Sequence, residues 1–144
     1  AILVCLVGSE MCIRDRLCND LGFSREDRST NLKRVAYVSK LLSKNGVGVL
    51  STFISPYEDD RKRIRSEVIN YIEVFVDTPL EVCEQRDVKG LYEKARAGKI
   101  AHFTGISDPY EVPKDPDIHI TTDISVQENC QKILTYLHDN DYLI

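Results

Sequence analysis

Four basic side chains follow two apolar segments of the sequence, residues 47–54 and 71–76. They are Arg61, Arg65, Arg86 and Lys89. Phosphoryl transfer depends mainly on positioning and on positive charge around the phosphate groups, so clustered arginine and lysine side chains suit that chemistry. A solvated charged helix face explains the string RKRIR at 61–65 just as well, and the basic residues alone leave both interpretations open.

The elements that would position these residues alternate between strand and helix. The segments VGVLSTFI (47–54) and YIEVFV (71–76) are nearly unbroken apolar runs, which predicts strands buried on both faces. The charged segment between them predicts a surface helix over 57–70. Strand, helix and strand of these lengths predict a right-handed crossover within a parallel sheet, and ligands collect beyond the carboxyl ends of such strands.

Capping signals and periodicity predict the other elements. Ser24, with an acid three residues on, predicts the start of a helix whose end falls at Asn45-Gly46. Helices are further predicted from Pro79, over 91–97 and over 126–137, with a loop over 98–116 and a short strand over 117–121. The order α-β-α-β-α-loop-β-α indicates a three-layer α/β domain.

Composition excludes several classes of protein. The 144 residues carry a formal net charge of −4, which argues against nucleic-acid binding. No stretch approaches the ~20 apolar residues of a membrane span, and the opening AILVCLVG lacks a basic region before it, so we expect a cytoplasmic protein with no membrane partner. The five cysteines have no zinc-site or CxxC spacing, which predicts reduced, buried thiols and no metal.

Long stretches of the sequence resemble adenylylsulfate kinase. DLGFSREDRSTNLKR, FISPYEDDRKRIR and EVFVDTPLEVCEQRDVKGLYEKARAGKIAHFTGISDPYE follow one another in the family's order, within residues 17–137. Runs of this length discriminate far better than a short motif. The resemblance implies a parallel-sheet P-loop kinase fold, a homodimer in the intact protein, and transfer of the ATP γ-phosphoryl group, with Mg²⁺, to the 3′-hydroxyl of adenosine 5′-phosphosulfate (APS).

By position, the resemblance also implies an APS pocket. Phe23 is implied to stack on the adenine, while Arg28 and Asn31 hold the phosphosulfate and ribose. Lys89 and Phe103 resemble the lid that closes over both nucleotides, with Phe103 covering the other face of the adenine. Without the resemblance, Phe23 would be explained as an ordinary core aromatic, and Arg28 and Asn31 as part of a solvated helix face.

Ile54 and Ser55 complete the implied pocket. Ser55 stands where the family has a serine that has been proposed to carry a phosphoryl group. Direct in-line transfer needs no such intermediate, and we prefer it, which leaves Ser55 as a ligand contact. Beside Ser55, the implied catalytic residues are Lys89 and Arg86; Arg86 is implied to meet the ATP phosphates and Ser125 the ATP base.

The family's ATP-phosphate loop has no counterpart in this sequence. Nothing matches G-x-x-x-x-G-K-[ST], and no lysine precedes Asp20. A phosphate cradle needs consecutive backbone amides, a lysine and a hydroxyl for Mg²⁺. Two functions therefore stay open, an active kinase and a remnant that binds APS without transferring phosphate. A different nucleotide kinase would not explain GFS, FISPY and KGLY together.

Residues 1–16 are expected to be foreign to the family, and residues 17–144 to form an incomplete kinase domain that lacks the first strand, the P-loop and the first helix. The string VGSEMCIRDR resembles translated sequencing-adapter DNA, and resequencing the locus tests this. On that interpretation Arg14 aligns with a family arginine by coincidence. Loss of the first strand and helix removes core, which predicts poor solubility or ligand-dependent folding.

Overall fold

Strands and helices alternate along the computed structural model, which describes residues 6–9 and 16–143. Arg14 lies outside the described residues. The strands are β1 (Leu6–Ser9), β2 (Val49–Thr52), β3 (Val74–Asp77) and β4 (Ile118–Thr121). The helices are α1 (Arg25–Lys44), α2 (Glu58–Glu67), α3 (Leu80–Gln85), α4 (Leu91–Arg96) and α5 (Val126–Asp139). All the elements predicted after residue 16 are present within a few residues of their predicted bounds.

The described strands form two parallel pairs. β1 pairs with β2, with Leu6 opposite Val49. β3 pairs with β4, with Val74 opposite Ile118 and Asp77 opposite Thr121. Parallel pairing is therefore confirmed, although β2 and β3, the two strands joined by α2, belong to different pairs.

The chain forms two compact units. The first contains residues 1–71 and 94–112, and the second contains residues 72–93 and 113–144. The β1–β2 pair, α1 and α2 belong to the first unit. The β3–β4 pair, α3 and α5 belong to the second, and α4 spans the boundary between the two.

The core of the first unit forms around α1, whose ends carry the predicted signals. The Ser24 side chain accepts a hydrogen bond from the Asp27 amide at 3.1 Å, which satisfies one of the free amides at the helix start. Asn45 ends the helix, and Gly46 follows with φ of +76°, a conformation that favours glycine. Leu32, Val35 and Ala36 are buried, and α1 packs against α2 and β2.

The prediction that the strands are buried on both faces is wrong. Leu50 in β2 is 55% exposed, and Val76 in β3 is 56% exposed. Each described sheet has two strands, so each strand has a described neighbour along one edge alone. The apolar character of these segments therefore exceeds what the described fold buries.

The closing helix and the cysteines also depart from prediction. α5 carries the predicted apolar stripe and packs against β4, yet none of its residues is buried. The expectation of buried thiols holds for Cys18 but not for Cys130, which lies exposed on α5, and Cys83 is half-buried. No helix in the described part of the chain is long and apolar enough to cross a membrane.

Candidate functional site

The start of α1 brings together three of the predicted site residues. Phe23 immediately precedes the capping residue Ser24, and its side chain is 50% exposed. Arg28 and Asn31 lie three residues apart, on one face of the helix, and are 9% and 8% exposed. The interpretation of these two side chains as a solvated helix face is therefore wrong, because both are buried.

Arg28 connects two distant stretches of chain. Its Nε donates to the Phe23 carbonyl oxygen at 3.1 Å, and its Nη2 donates to the His102 carbonyl oxygen at 2.7 Å. The guanidinium carbon lies 5.6 Å from the centroid of the Phe23 ring. No carboxylate among the described residues pairs with Arg28. A buried cation without a counter-ion is costly, so this position favours an anionic ligand.

Asn31 adds an unused acceptor to the same helix face. Its Oδ1 is buried and has no hydrogen-bond partner among the described residues. An unsatisfied buried acceptor costs about 1–3 kcal/mol. A ligand that brings a hydroxyl or an amide to Asn31 would remove that cost.

His102 lies immediately before Phe103, the predicted lid aromatic. It has φ of +57°, a left-handed conformation that is uncommon outside glycine, and its carbonyl oxygen is the one that Arg28 binds. The half-buried Phe103 begins a tight turn in which its amide donates to Ser107 Oγ at 2.8 Å. Arg28 thus holds the backbone next to both predicted aromatic residues. No sequence signal identifies His102, because the contact spans 74 residues.

Ile54 and Ser55 follow β2 in the same unit. Ile54 is 47% exposed and Ser55 is half-buried. The Ser55 carbonyl oxygen accepts a hydrogen bond from Arg61 Nη1 at 2.6 Å. Arg61 is itself only 5% exposed, so it belongs neither to a solvated helix face nor to a free basic cluster.

The other predicted site residues belong to the second unit. Arg86 is the exposed C-terminal capping residue of α3, and Lys89 is exposed between α3 and α4. Ser125 is the N-cap of α5 and forms a capping box with Glu128. The Ser125 hydroxyl, through its hydrogen bond, lowers the pKa of Glu128. The spacing Ser-x-x-Glu is a sequence signal for this box that the sequence analysis missed.

The described residues contain no glycine-rich loop of the kind that holds the phosphates of magnesium–ATP. Within residues 6–9 and 16–143, no three histidine, cysteine, aspartate or glutamate side chains are grouped so as to hold a metal ion. Arg86 and Lys89 supply positive charge, but both are exposed and neither lies on a glycine-rich loop that bends consecutive amides around a phosphate. The described residues that suit a ligand are the buried Arg28 and Asn31 and the half-exposed Phe23, all at the start of α1.

The sequence matches the family model of adenylylsulphate kinase over residues 3–121. It is 58% identical over 123 residues to a Pseudomonas aeruginosa protein described as a probable adenylyl-sulfate kinase. That match covers 85% of this chain and 58% of the relative, so the chain spans little more than half of that relative's length. It is 51% identical over 132 residues to the adenylyl-sulfate kinase of Halothermothrix orenii, covering 91% of this chain and 71% of the relative.

Solved structures resemble the chain as well. The APS kinase of Mycobacterium tuberculosis, solved in complex with AMPPNP and APS, superposes with a TM-score of 0.85 at 46% identity and covers 93% of this chain and 79% of that one. A hexameric APS kinase from Thiobacillus denitrificans gives a TM-score of 0.73 at 25% identity, covering 99% of this chain and 24% of that one. These likenesses show a P-loop kinase-type α/β fold.

Proposed function

Because the chain belongs to the adenylylsulfate kinase family, we propose that its first unit binds APS at the start of α1. The observation that carries this proposal is the buried Arg28 guanidinium, which has no carboxylate partner among the described residues. An anion of the size of a phosphosulfate supplies the missing negative charge. Arginine suits this role, since its planar donors match the oxygens of phosphate and sulfate groups.

The neighbouring residues suit the rest of the nucleotide. Phe23 offers a half-exposed ring on which an adenine can stack, and the unpaired Oδ1 of Asn31 can accept a hydrogen bond from a ribose hydroxyl. Phe103 and Ser55 belong to the same unit, and we assign them to the rest of the APS pocket. Lys89 is assigned to the lid, and Arg86 and Ser125 to ATP, on the family resemblance alone.

For the complete enzyme we propose the family's reaction, in-line transfer of the ATP γ-phosphoryl group to the 3′-hydroxyl of APS. The 144 residues contain no G-x-x-x-x-G-K-[ST] motif, so we propose that this chain binds APS without transferring phosphate. Homodimer formation, which the family resemblance implies, and a cytoplasmic location, which the composition of the sequence suggests, remain part of the proposal. The hexameric state of the Thiobacillus relative concerns that protein.

Calorimetric titration of the folded chain with APS tests the binding proposal. Arg28→Gln removes the charge, and charge-assisted hydrogen bonds contribute about 1.5–3 kcal/mol, so we expect affinity for APS to fall roughly tenfold to a hundredfold. Binding of uncharged adenosine should weaken less, because adenosine lacks the anionic group that pairs with the guanidinium. Lys33→Gln removes an exposed charge from the same helix and should leave both affinities unaltered.

Two results would contradict the proposal. One is the absence of any heat of binding from a wild-type chain whose circular dichroism shows it to be folded. The other is an equal loss of APS affinity in the Arg28 and Lys33 variants. An assay of ADP release separates binding from transfer: we expect no turnover by the chain as given, and turnover by a version in which a phosphate-binding loop precedes residue 17.

A further inference from the structure

The buried side chain of Arg61 binds the main chain of two segments. One is the loop between β2 and α2, which we call the Ser55 loop, and the other is the segment around Glu111. Arg61 is 5% exposed and lies in the first turn of α2. Its Nη1 donates to the Ser55 carbonyl oxygen, and its Nη2 donates to the Glu111 carbonyl oxygen, both at 2.6 Å. One planar guanidinium thereby joins two segments that lie more than fifty residues apart in sequence.

Glu111 binds the same loop from the opposite direction. Its amide donates to the Pro56 carbonyl oxygen at 2.8 Å, and its carboxylate accepts from the Glu58 amide at 2.6 Å. Glu58 is the first residue of α2, and the N-cap residue Tyr57 provides no side-chain cap. The Glu111 carboxylate therefore caps α2 from a distant segment, at the end of the helix where negative charge is favourable.

These four hydrogen bonds fix the main chain of residues 55–58 and tie it to residue 111. We call the Arg61 side chain, residue Glu111 and these four bonds the clasp. The clasp uses only main-chain atoms of Ser55 and Pro56, so the Ser55 hydroxyl takes no part in it. Pro56 and Tyr57 are buried beneath it, which excludes water that would compete for these bonds.

The clasp also lies at one end of the segment that carries Phe103. That segment is bound to α1 at His102, through Arg28 Nη2, and to the Ser55 loop at Glu111, through the clasp. Both ends are held within the first unit. The distance that the segment can move away from α1 is therefore limited at both ends.

We propose that Arg61 and Glu111 are positioning residues for the nucleotide pocket, acting through the Ser55 loop and the Phe103 segment. The proposal rests on the proposed function, because it assigns the two residues an effect on APS binding without contact to APS. A residue with a purely structural role would alter the stability of the whole unit. A positioning residue alters the local order of residues 55–58 and 102–111, together with the affinity.

The test compares Arg61→Ala, Arg61→Lys and Glu111→Gln with Lys62→Ala, which breaks the Lys62–Glu58 side-chain ion pair (2.9 Å) on α2 and leaves every bond of the clasp in place. Amide hydrogen exchange and APS affinity are measured on the full chain. In Arg61→Ala we expect exchange at the Glu58 and Glu111 amides to rise at least tenfold and APS affinity to fall about tenfold, with exchange at Val35 unchanged. Glu111→Gln keeps an acceptor for the Glu58 amide and should retain most of the protection against exchange and most of the APS affinity. Arg61→Lys should lie between wild type and Arg61→Ala in both measurements.

Three results would overturn the positioning role. Exchange at Glu58 and Glu111 equal to that of the Lys62 variant would mean that the clasp does not hold these segments. Faster exchange with unchanged APS affinity would mean that the clasp does not act on the pocket. Equal acceleration at Val35 would make Arg61 a general stability residue. If Arg61→Ala does not fold, Glu111→Ala removes the acceptor of the Glu58 amide alone, and we then expect faster exchange at Glu58 together with weaker APS binding.

Failure of the proposed function is recognised separately. A wild-type chain that is folded, protected at Glu58 and Glu111, and unable to bind APS removes the APS proposal and, with it, the positioning role. A wild-type chain that binds APS while the clasp variants behave as Lys62→Ala removes the positioning role alone.

Discussion

At the scale of single residues, the first unit holds two buried polar groups that are only partly paired within the described chain. Arg28 uses two of its nitrogens on main-chain carbonyls and has no described carboxylate partner, and Asn31 has an unpaired Oδ1. Most buried polar atoms in folded proteins are satisfied, so the unsatisfied Asn31 acceptor, three residues from a buried guanidinium without a described carboxylate partner, points to a ligand. Removal of the Asn31 acceptor should therefore change stability and binding in opposite directions.

Asn31→Leu tests this opposition. Leucine is of similar size and removes the unsatisfied acceptor, so we expect the free energy of unfolding without ligand to stay level or rise by up to about 1 kcal/mol. APS affinity should fall at least fivefold, because the acceptor for the ligand is lost. Urea unfolding and calorimetry measure the two effects. A parallel loss of stability and affinity would mean that Asn31 is a structural residue only.

Phe23→Ala tests the stacking role. Stacking of a base on an aromatic ring contributes roughly 1–3 kcal/mol, so APS affinity should fall about fivefold to a hundredfold. Stability should change little, since the ring is half-exposed. Tyr37→Ala, which removes a 62% exposed aromatic ring further along α1, is the matched control. An equal effect of the two substitutions on APS affinity would contradict the assignment.

At the scale of the elements, α5 depends on the carboxylate of its capping box. Glu128 Oε2 accepts from the Ser125 hydroxyl at 2.6 Å and from the Ser125 amide at 2.9 Å, and these bonds lower the pKa of Glu128 from its ordinary value of 4.5. A carboxyl group whose pKa is lower in the folded than in the unfolded chain stabilises the fold above the unfolded value. That contribution is lost as the pH falls through the lower, folded-state value.

We expect this loss to appear in thermal unfolding followed by circular dichroism between pH 7 and pH 3. The wild-type midpoint should fall more steeply below about pH 4.5 than that of Glu128→Gln, which is less stable at pH 7 and cannot titrate at this position. Glu81→Gln removes a first-turn carboxylate from α3, which has no side-chain cap, and should keep the wild-type slope. Parallel slopes for wild type and Glu128→Gln would contradict the role of the box.

The elements that could be predicted from sequence are those whose signals are local. Ser24 lies three residues from the amide that it caps, and Gly46 takes a conformation that its own lack of a Cβ allows. The cap of α2 could not be predicted, because Tyr57 has no capping side chain and the carboxylate comes from Glu111, 53 residues on. The sequence leaves Arg61 either in a basic cluster or on a solvated helix face, and neither holds, because its partners are carbonyl groups of other segments.

The candidate site shows the same division. The aromatic, cationic and amide residue types at Phe23, Arg28 and Asn31 were identified in sequence, through the family resemblance. That Arg28 and Asn31 are buried follows from packing of α1 against its neighbours, and the role of His102 follows from a contact that no spacing encodes. The predicted burial of the strands was the least successful prediction. The apolar content of a strand shows that its side chains favour burial, but whether they are buried depends on the elements that pack against the strand.

At the scale of the whole molecule, apolar residues in or next to the strands are exposed in both units. Leu50 and Ile54 in and after β2, and Val76 in β3, are between 47% and 56% exposed. Strand edges that carry apolar side chains and have no described neighbour favour pairing with other chains. The expected poor solubility therefore has a physical cause in the described sheets.

Leu50→Lys tests this cause, since a charge on an exposed strand discourages pairing between chains. We expect light scattering of a concentrated solution to drop relative to wild type, while far-ultraviolet circular dichroism is retained. Val88→Lys places the same charge at a residue that is 97% exposed and lies in no strand, and should not reduce the scattering. Equal reductions by both variants would attribute the effect to net charge.

Ligand should also affect the stability of the whole chain. A ligand that binds only the folded state at a concentration 100 times its dissociation constant stabilises that state by about 2.7 kcal/mol. We therefore expect APS to raise the unfolding midpoint of the wild-type chain by several degrees and that of Arg28→Gln by far less. Differential scanning calorimetry with and without APS measures both shifts, and an equal shift would contradict binding through Arg28.

The bond between Glu58 and Glu111 has a consequence for synthesis on the ribosome. The two residues are 53 positions apart, and at about 5–20 residues per second the second is added roughly 3–10 s after the first. Throughout that interval the first amide of α2 in the nascent chain can bind only water or a transient substitute. The Ser55 loop can thus take its final shape only after the translated chain has passed Glu111, however early the helix itself forms.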